Sequence, residues 1–165
     1  MAREKKESDL EELKKEYAKL RGKYKNLPSF QQLNEDFEIE KIAEKETEFL
    51  LREIRKAIAE KSIAFLRFLE SLINPSNAPL FIFAILKNLS AQEKKIVEKI
   101  YREFCKEEIS TLKLDVCYDE KEEVRFIIDS TKRWQELRPE LEKLTIALEK
   151  AWEKTAEKKE KSYFG

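Results

Sequence analysis

Apolar residues recur along this chain at alternating spacings of three and four, the period of helices that bury one face. The first run, Leu10, Leu13, Tyr17, Leu20, Tyr24 and Leu27, forms a narrow heptad seam. Ser8 and Glu11 stand at capping-box spacing, where the hydroxyl takes an orphan amide of the first turn and the carboxylate reaches back to the cap amide. The pattern therefore predicts a helix that starts at Ser8, weakens at Gly22 and stops by Pro28. Ser29 and Gln32 repeat the cap, and Phe30, Leu33 and Phe37 give the next, short helix one apolar face. Residues 36–46 read as a connector or a frayed turn. From about Glu44 to Ile73 no proline or glycine intervenes, and Leu50, Ile54, Ile58, Phe65, Leu69 and Ile73 mark one helix of about 45 Å.

Residues 74–79, Asn-Pro-Ser-Asn-Ala-Pro, stop that helix, and Pro79 suits the first turn of another because its missing amide would be an orphan there. Seven uninterrupted apolar residues follow, Leu80 to Leu86. A membrane span needs about twenty, and this run is closed at once by Lys87 and Asn88. It also lacks the charged face of a helix lying on a bilayer. A short helix apolar all round is expected in a core, with a ligand tunnel or a partner-facing patch as the alternatives. Ser90 and Glu93 then open a helix to about Leu114, with Val97, Ile100, Tyr101 and Phe104 on one face. Asp119 and Glu122 begin another, carrying Val124, Ile127, Ile128, Thr131 and Trp134. Pro139 is taken to open a last helix along Leu141, Leu144, Leu148, Ala151 and Trp152.

The predicted fold is all-α, a single irregular helical bundle of about five long and two short helices. Two glycines and four prolines in 165 residues are too few for a turn-rich β protein. The expected division is an N-terminal heptad-like helix over 1–26, projecting from the bundle or pairing in trans, a helical core over 27–158, and a flexible tail over 159–165. The N-terminus is charged from Arg3 and has no apolar signal core, so no secretory or membrane segment is expected. Cys105 and Cys117 would lie about 18 Å apart on one helix, too far to bridge. Free thiols point to a reducing compartment and a cytoplasmic location.

Histidine is absent, which removes the commonest general base and metal ligand along with the Ser-His and Cys-His nucleophile pairs. Two cysteines do not make a zinc site, and two glycines leave no phosphate-cradling loop. No cofactor or metal is expected. Glu35-x-x-Glu38 and Glu120-x-x-Glu123 imitate half of the magnesium motif of helical nucleoside-triphosphate pyrophosphohydrolases, but the other half does not follow. With 34 acidic residues such pairs arise by chance, and an enzyme using carboxylate-bound magnesium is the weakest of the functional alternatives.

The 34 acidic residues are balanced by 34 basic ones, so no global field draws in nucleic acid or membrane. What remains is a non-catalytic interaction protein, an adaptor or a subunit of a larger assembly, with a protein partner or a second copy of itself. Candidate partner-binding residues are Tyr17, Leu20 and Tyr24 on the seam and Tyr163 and Phe164 at the end of a charged tail. The alternative is a nucleic-acid- or ribosome-associated factor. It would use Lys19, Arg21, Lys23 and Lys25, interleaved with Tyr24, to meet phosphates and stack on a base.

The leading helix, Leu27-Pro28 with Phe30 nearby, the long helix with Arg52 to Ile58 and the Ser90-x-x-Glu93 start loosely resemble, over the first 105 residues, the helical domain of GINS replication subunits. These motifs are generic. The small β domain of that family has no counterpart, because residues 120–158 read as helix.

Overall fold

Local capping chemistry sets most of the helix boundaries in the computed structural model, which describes residues 2–45 and 47–163, with side chains over 7–45 and 47–155. Six α-helices are described: α1 (Ala2–Lys23), α2 (Phe30–Phe37), α3 (Leu50–Ile73), α4 (Leu80–Leu86), α5 (Ala91–Val116) and α6 (Glu120–Tyr163). Short 3-10 segments run over Ile39–Glu44 and Pro75–Asn77, and no strand occurs among the described residues. The fold is all-α, as expected. No described helix is long and apolar enough to cross a membrane.

The Ser29 hydroxyl accepts the Gln32 amide at 3.1 Å to start α2. Ser90 and Glu93 close a reciprocal box, Ser90 N–H to Glu93 Oε2 at 2.7 Å and Glu93 N–H to Ser90 Oγ at 3.2 Å. The Ser90 amide holds the Glu93 carboxyl below its ordinary range. Asp119 takes the Glu122 amide at 3.0 Å to open α6.

Three boundaries depart from the expected ones. Helix α1 begins at Ala2, so Ser8 lies within it; the preceding Ala, Arg, Glu and Lys residues are strong helix formers and carry the helix past the cap. Helix α3 starts at Leu50 rather than near Glu44, which makes it about 36 Å long. Glu38 adopts a left-handed φ of 55° that ends α2, and Asn34 Oδ1 accepts the Glu40 amide at 2.9 Å, winding the next residues into a 3-10 turn. Pro139 does not open a helix. It sits inside the 44-residue α6, so the two helices expected there are one. Pro139 lies on the exposed side, where water can serve the carbonyl that loses its amide partner.

The chain divides into two compact units. Unit 1 holds the residues up to Ser62 together with Glu107–Trp134, and unit 2 holds Ile63–Lys106 with the residues from Gln135 onward. Each unit has its own core.

In unit 1, Leu13 and Tyr17 of α1 are buried along with Leu33 and Phe37 of α2, Ile39 and Ile42 of the 3-10 turn, and Ile54 and Ile58 of α3. Each such aliphatic side chain contributes roughly 1.5–3 kcal/mol by leaving water. The Tyr17 hydroxyl donates to Pro28 O at 2.8 Å and its ring meets Phe30 edge-on at 5.9 Å, which holds α1 against the start of α2. Burial pushes the Tyr17 phenol well above its ordinary range. Lys61 lies over the Trp134 ring at 4.7 Å and donates to Asp36 O, while Phe37 tilts against Trp134 at 5.6 Å.

The polar centre of unit 1 is Arg55, which is 0% exposed. Its Nε donates to Glu123 Oε2 at 2.8 Å, its Nη2 to Asp115 Oδ1 at 2.6 Å and its Nη1 to Thr111 O at 3.4 Å. One guanidinium thereby joins α3, α5 and α6. A second buried carboxylate, Glu107, accepts from Ser62 Oγ at 2.5 Å and from Arg133 at 3.0 Å. Glu123 is as fully buried as Arg55, and its Oε1 has no hydrogen-bond partner among the described residues. Burial pushes its carboxyl above the ordinary glutamate range, and Arg55 opposes this only in part.

In unit 2, Leu69 and Leu72 of α3, Ile82 and Ile85 of α4, Val97, Ile100 and Phe104 of α5 and Leu137, Leu141 and Leu144 of α6 are buried. Asn88 fastens the end of α4 to α6. Its Nδ2 reaches Ala84 O at 3.1 Å, Ala151 O at 3.0 Å and Thr155 Oγ1 at 3.0 Å.

Removing one partner of a buried ion pair leaves the other uncompensated. Arg55→Met is therefore expected to destabilise unit 1 by about 3–5 kcal/mol in urea denaturation, and the double variant Arg55→Met/Glu123→Leu to recover most of that loss. A single variant as stable as wild type would remove the network from the account of this core. The raised Glu123 carboxyl gives a signed pH effect. Its stabilising contribution is fully present below the unfolded glutamate value of 4.5 and is lost as pH rises through the raised folded value. The melting temperature of wild type relative to Glu123→Gln should therefore fall as pH rises from acid, on top of whatever offset the loss of the Arg55 partner puts between them. The opposite trend would show that Arg55 outweighs burial.

Candidate interaction surfaces

Apolar side chains that the two cores do not use gather in two places. The first is α4 in unit 2. Ile82, Ile85 and then Leu89 follow at spacings of three and four and are buried, which turns the rest of this apolar helix outward. Leu80 is 87% exposed, Phe81 42% and Phe83 40%. Trp152 of α6, 48% exposed, meets Phe81 edge-on with ring centroids 6.4 Å apart. The expectation that Leu80 to Leu86 is core is thus corrected to one buried face and one aromatic outer face. No polar residue marks the outer face, so the pattern alone could not separate the two.

The second is α5 in unit 1. Ile109, Leu112 and Val116 are 67%, 56% and 89% exposed, on the side of the helix opposite the buried Glu107, Thr111 and Leu114. Sequence reasoning missed this stripe. Its signal was a second set of three-and-four spacings beside the core set of the same helix.

The candidate partner-binding residues of α1 fare differently. Tyr17 is 1% exposed and engages Pro28 and Phe30 within unit 1. Leu13 is buried as well, so this part of the seam docks within unit 1 on the Ile39–Glu44 turn rather than projecting. Leu20 and Tyr24 are half-buried. The Tyr24 hydroxyl donates to Glu120 Oε1 at 2.8 Å. Tyr163 ends α6 with its side chain outside the described residues, and Phe164 lies outside them altogether.

Within the proposed nucleic-acid patch, Lys19 and Lys25 are exposed. Lys23 pairs with Glu120 at 2.7 Å, and Arg21 Nε donates to Leu27 O at 3.2 Å. The Lys23 contact holds the Glu120 carboxyl below its ordinary range, and Glu120 in turn raises Lys23. An acidic residue is therefore built into the centre of the basic stretch.

The magnesium-like pairs do not converge. Glu35 accepts from Gln31 at 2.8 Å, Glu38 pairs with Lys41, Glu120 with Lys23 and Glu123 with Arg55. Among the described residues no three Asp, Glu or Cys side chains are grouped so as to hold a metal ion. A groove of about 330 Å³ in unit 1 runs between α1 and the 3-10 turn past Asp9, Glu12, Glu16 and Lys45, all on or near the surface. A groove of about 320 Å³ in unit 2 is apolar, lined by Leu72, Ile73, Leu86, Leu89 and Val97 with Lys94 and Glu98 at its edge.

Compared with protein-family models, with curated proteins and with solved structures, the chain finds no match in any of the three, so the loose likeness to the GINS helical domain gains no support.

Proposed function

We propose that this protein is a non-catalytic helical interaction protein, an adaptor or a subunit of a larger assembly, that docks a protein partner on the outer face of α4. The observation that carries the proposal is the pairing of a helix apolar all round with a core that uses only half of it. Leu80, Phe81 and Phe83 stand outward beside Trp152, and aromatic clusters of this kind anchor protein interfaces. Asn88 supports the role by tying the end of α4 to Ala151 O and Thr155 Oγ1 of α6, which pre-organises the patch and lowers the ordering cost of docking. The free thiols Cys105 and Cys117 support a reducing, cytoplasmic setting. The nucleic-acid alternative over residues 19–25 has less support, since Lys23 and Tyr24 both engage Glu120.

Because Phe81 and Phe83 are already part exposed, Phe81→Asp/Phe83→Asp should lower stability by only about 1–2 kcal/mol, well short of the cost of a charge buried in a core. Tagged wild type and double variant would be recovered from nuclease-treated extract of the native cell. The expected result is a partner that survives nuclease with wild type and is lost with the variant, whose melting temperature stays within a few degrees. Partner recovery unaffected by the double variant would reject the α4 surface. Recovery abolished by nuclease alone would favour the nucleic-acid alternative.

A further inference from the structure

The outward stripe of α5 has a composition that specifies its own partner. The step from Ile109 to Leu112 is three residues and the step from Leu112 to Val116 is four, so a heptad frame is forced: Ile109 at a, Leu112 at d and Val116 at the next a. β-branched residues at a with leucine at d are the combination that packs best in parallel two-stranded pairs. All three side chains are more than half exposed and none is used by the core of unit 1.

The residues flanking the stripe fix the orientation. Glu108 precedes Ile109 at position g, and Lys113 follows Leu112 at position e. In a parallel, in-register pair, g of one helix meets the e five residues further along the other, which sets Glu108 against Lys113 of the second copy, twice by symmetry. An antiparallel pair instead brings g against g, which sets Glu108 against Asp115 of the second copy, two like charges. The Glu108 side chain is part buried and the Lys113 side chain exposed.

We propose that Ile109, Leu112 and Val116 form a self-association seam, on which α5 of one copy pairs parallel and in register with α5 of a second, with Glu108 and Lys113 as the orienting ion pairs. The surface is separate from the α4 patch and does not depend on it. Three apolar layers make a weak dimer, formed at high protein concentration and dissociating on dilution.

Sedimentation equilibrium over a hundredfold range of concentration tests this. Wild type should pass from monomer to dimer. Leu112→Glu should remain monomeric throughout while melting as wild type does, Leu112 being exposed. Lys113→Glu should weaken association roughly fivefold or more, two symmetric pairs being lost, and Glu108→Lys/Lys113→Glu should restore it. In a Cys105→Ser/Cys117→Ser background, Leu112→Cys should form a disulfide-linked dimer on oxidation, since identical d positions face each other only in a parallel pair. A wild type monomeric at every concentration would overturn the proposal, as would a dimer that persists in Leu112→Glu. A Glu108→Lys variant that associates more tightly would overturn the parallel orientation.

Discussion

A guanidinium with no access to water has to be answered by carboxylates, and Arg55 imposes that requirement on unit 1. Three of its five donors go to Glu123, Asp115 and the Thr111 carbonyl, so α3, α5 and α6 must approach from fixed directions. Such a network adds little net stability over a well-packed apolar core, because desolvation of the two ions offsets most of their attraction. What it adds is directional: a helix rotated by one residue would leave a charge unanswered. The rotation of α5 follows from this. With Thr111 and Glu107 turned inward, Ile109, Leu112 and Val116 are necessarily turned outward.

The same logic of commitment runs through the rest of the molecule. Tyr17 is committed to Pro28, Lys23 and Tyr24 to Glu120, and the Glu-x-x-Glu pairs to neighbouring donors. Side chains that looked available for chemistry or recognition in the sequence are thus largely spent on holding the fold. Large apolar side chains are exposed on the outer face of α4 with Trp152 in unit 2 and on the α5 stripe in unit 1.

What could be read from the sequence was what local chemistry decides. The caps at Ser29, Ser90 with Glu93, and Asp119 involve residues three apart and were legible as written. The all-α class followed from periodicity and from the scarcity of glycine and proline. What was not legible depended on tertiary surroundings. Pro139 is tolerated because it faces solvent in a helix anchored on either side by the buried Trp134, Leu137, Leu141 and Leu144, and no local signal announces that support. The 3-10 turn after Glu38 arises from a side chain, Asn34, reaching six residues ahead. Heptad spacing correctly marked α1 as amphipathic, yet spacing cannot say whether the seam faces its own chain or another. It faced its own chain at Leu13 and Tyr17, while α5 carried a seam that its core has no use for.

The proposal that this protein works by having its apolar faces covered is most open to test at α4. Amide hydrogen exchange of the protein alone, compared with the protein in the complex recovered from its own cell, measures the covering directly. The account predicts slowed exchange concentrated over Leu80–Leu86 and around Trp152. Unchanged exchange there, with slowing over residues 19–25 instead, would contradict it.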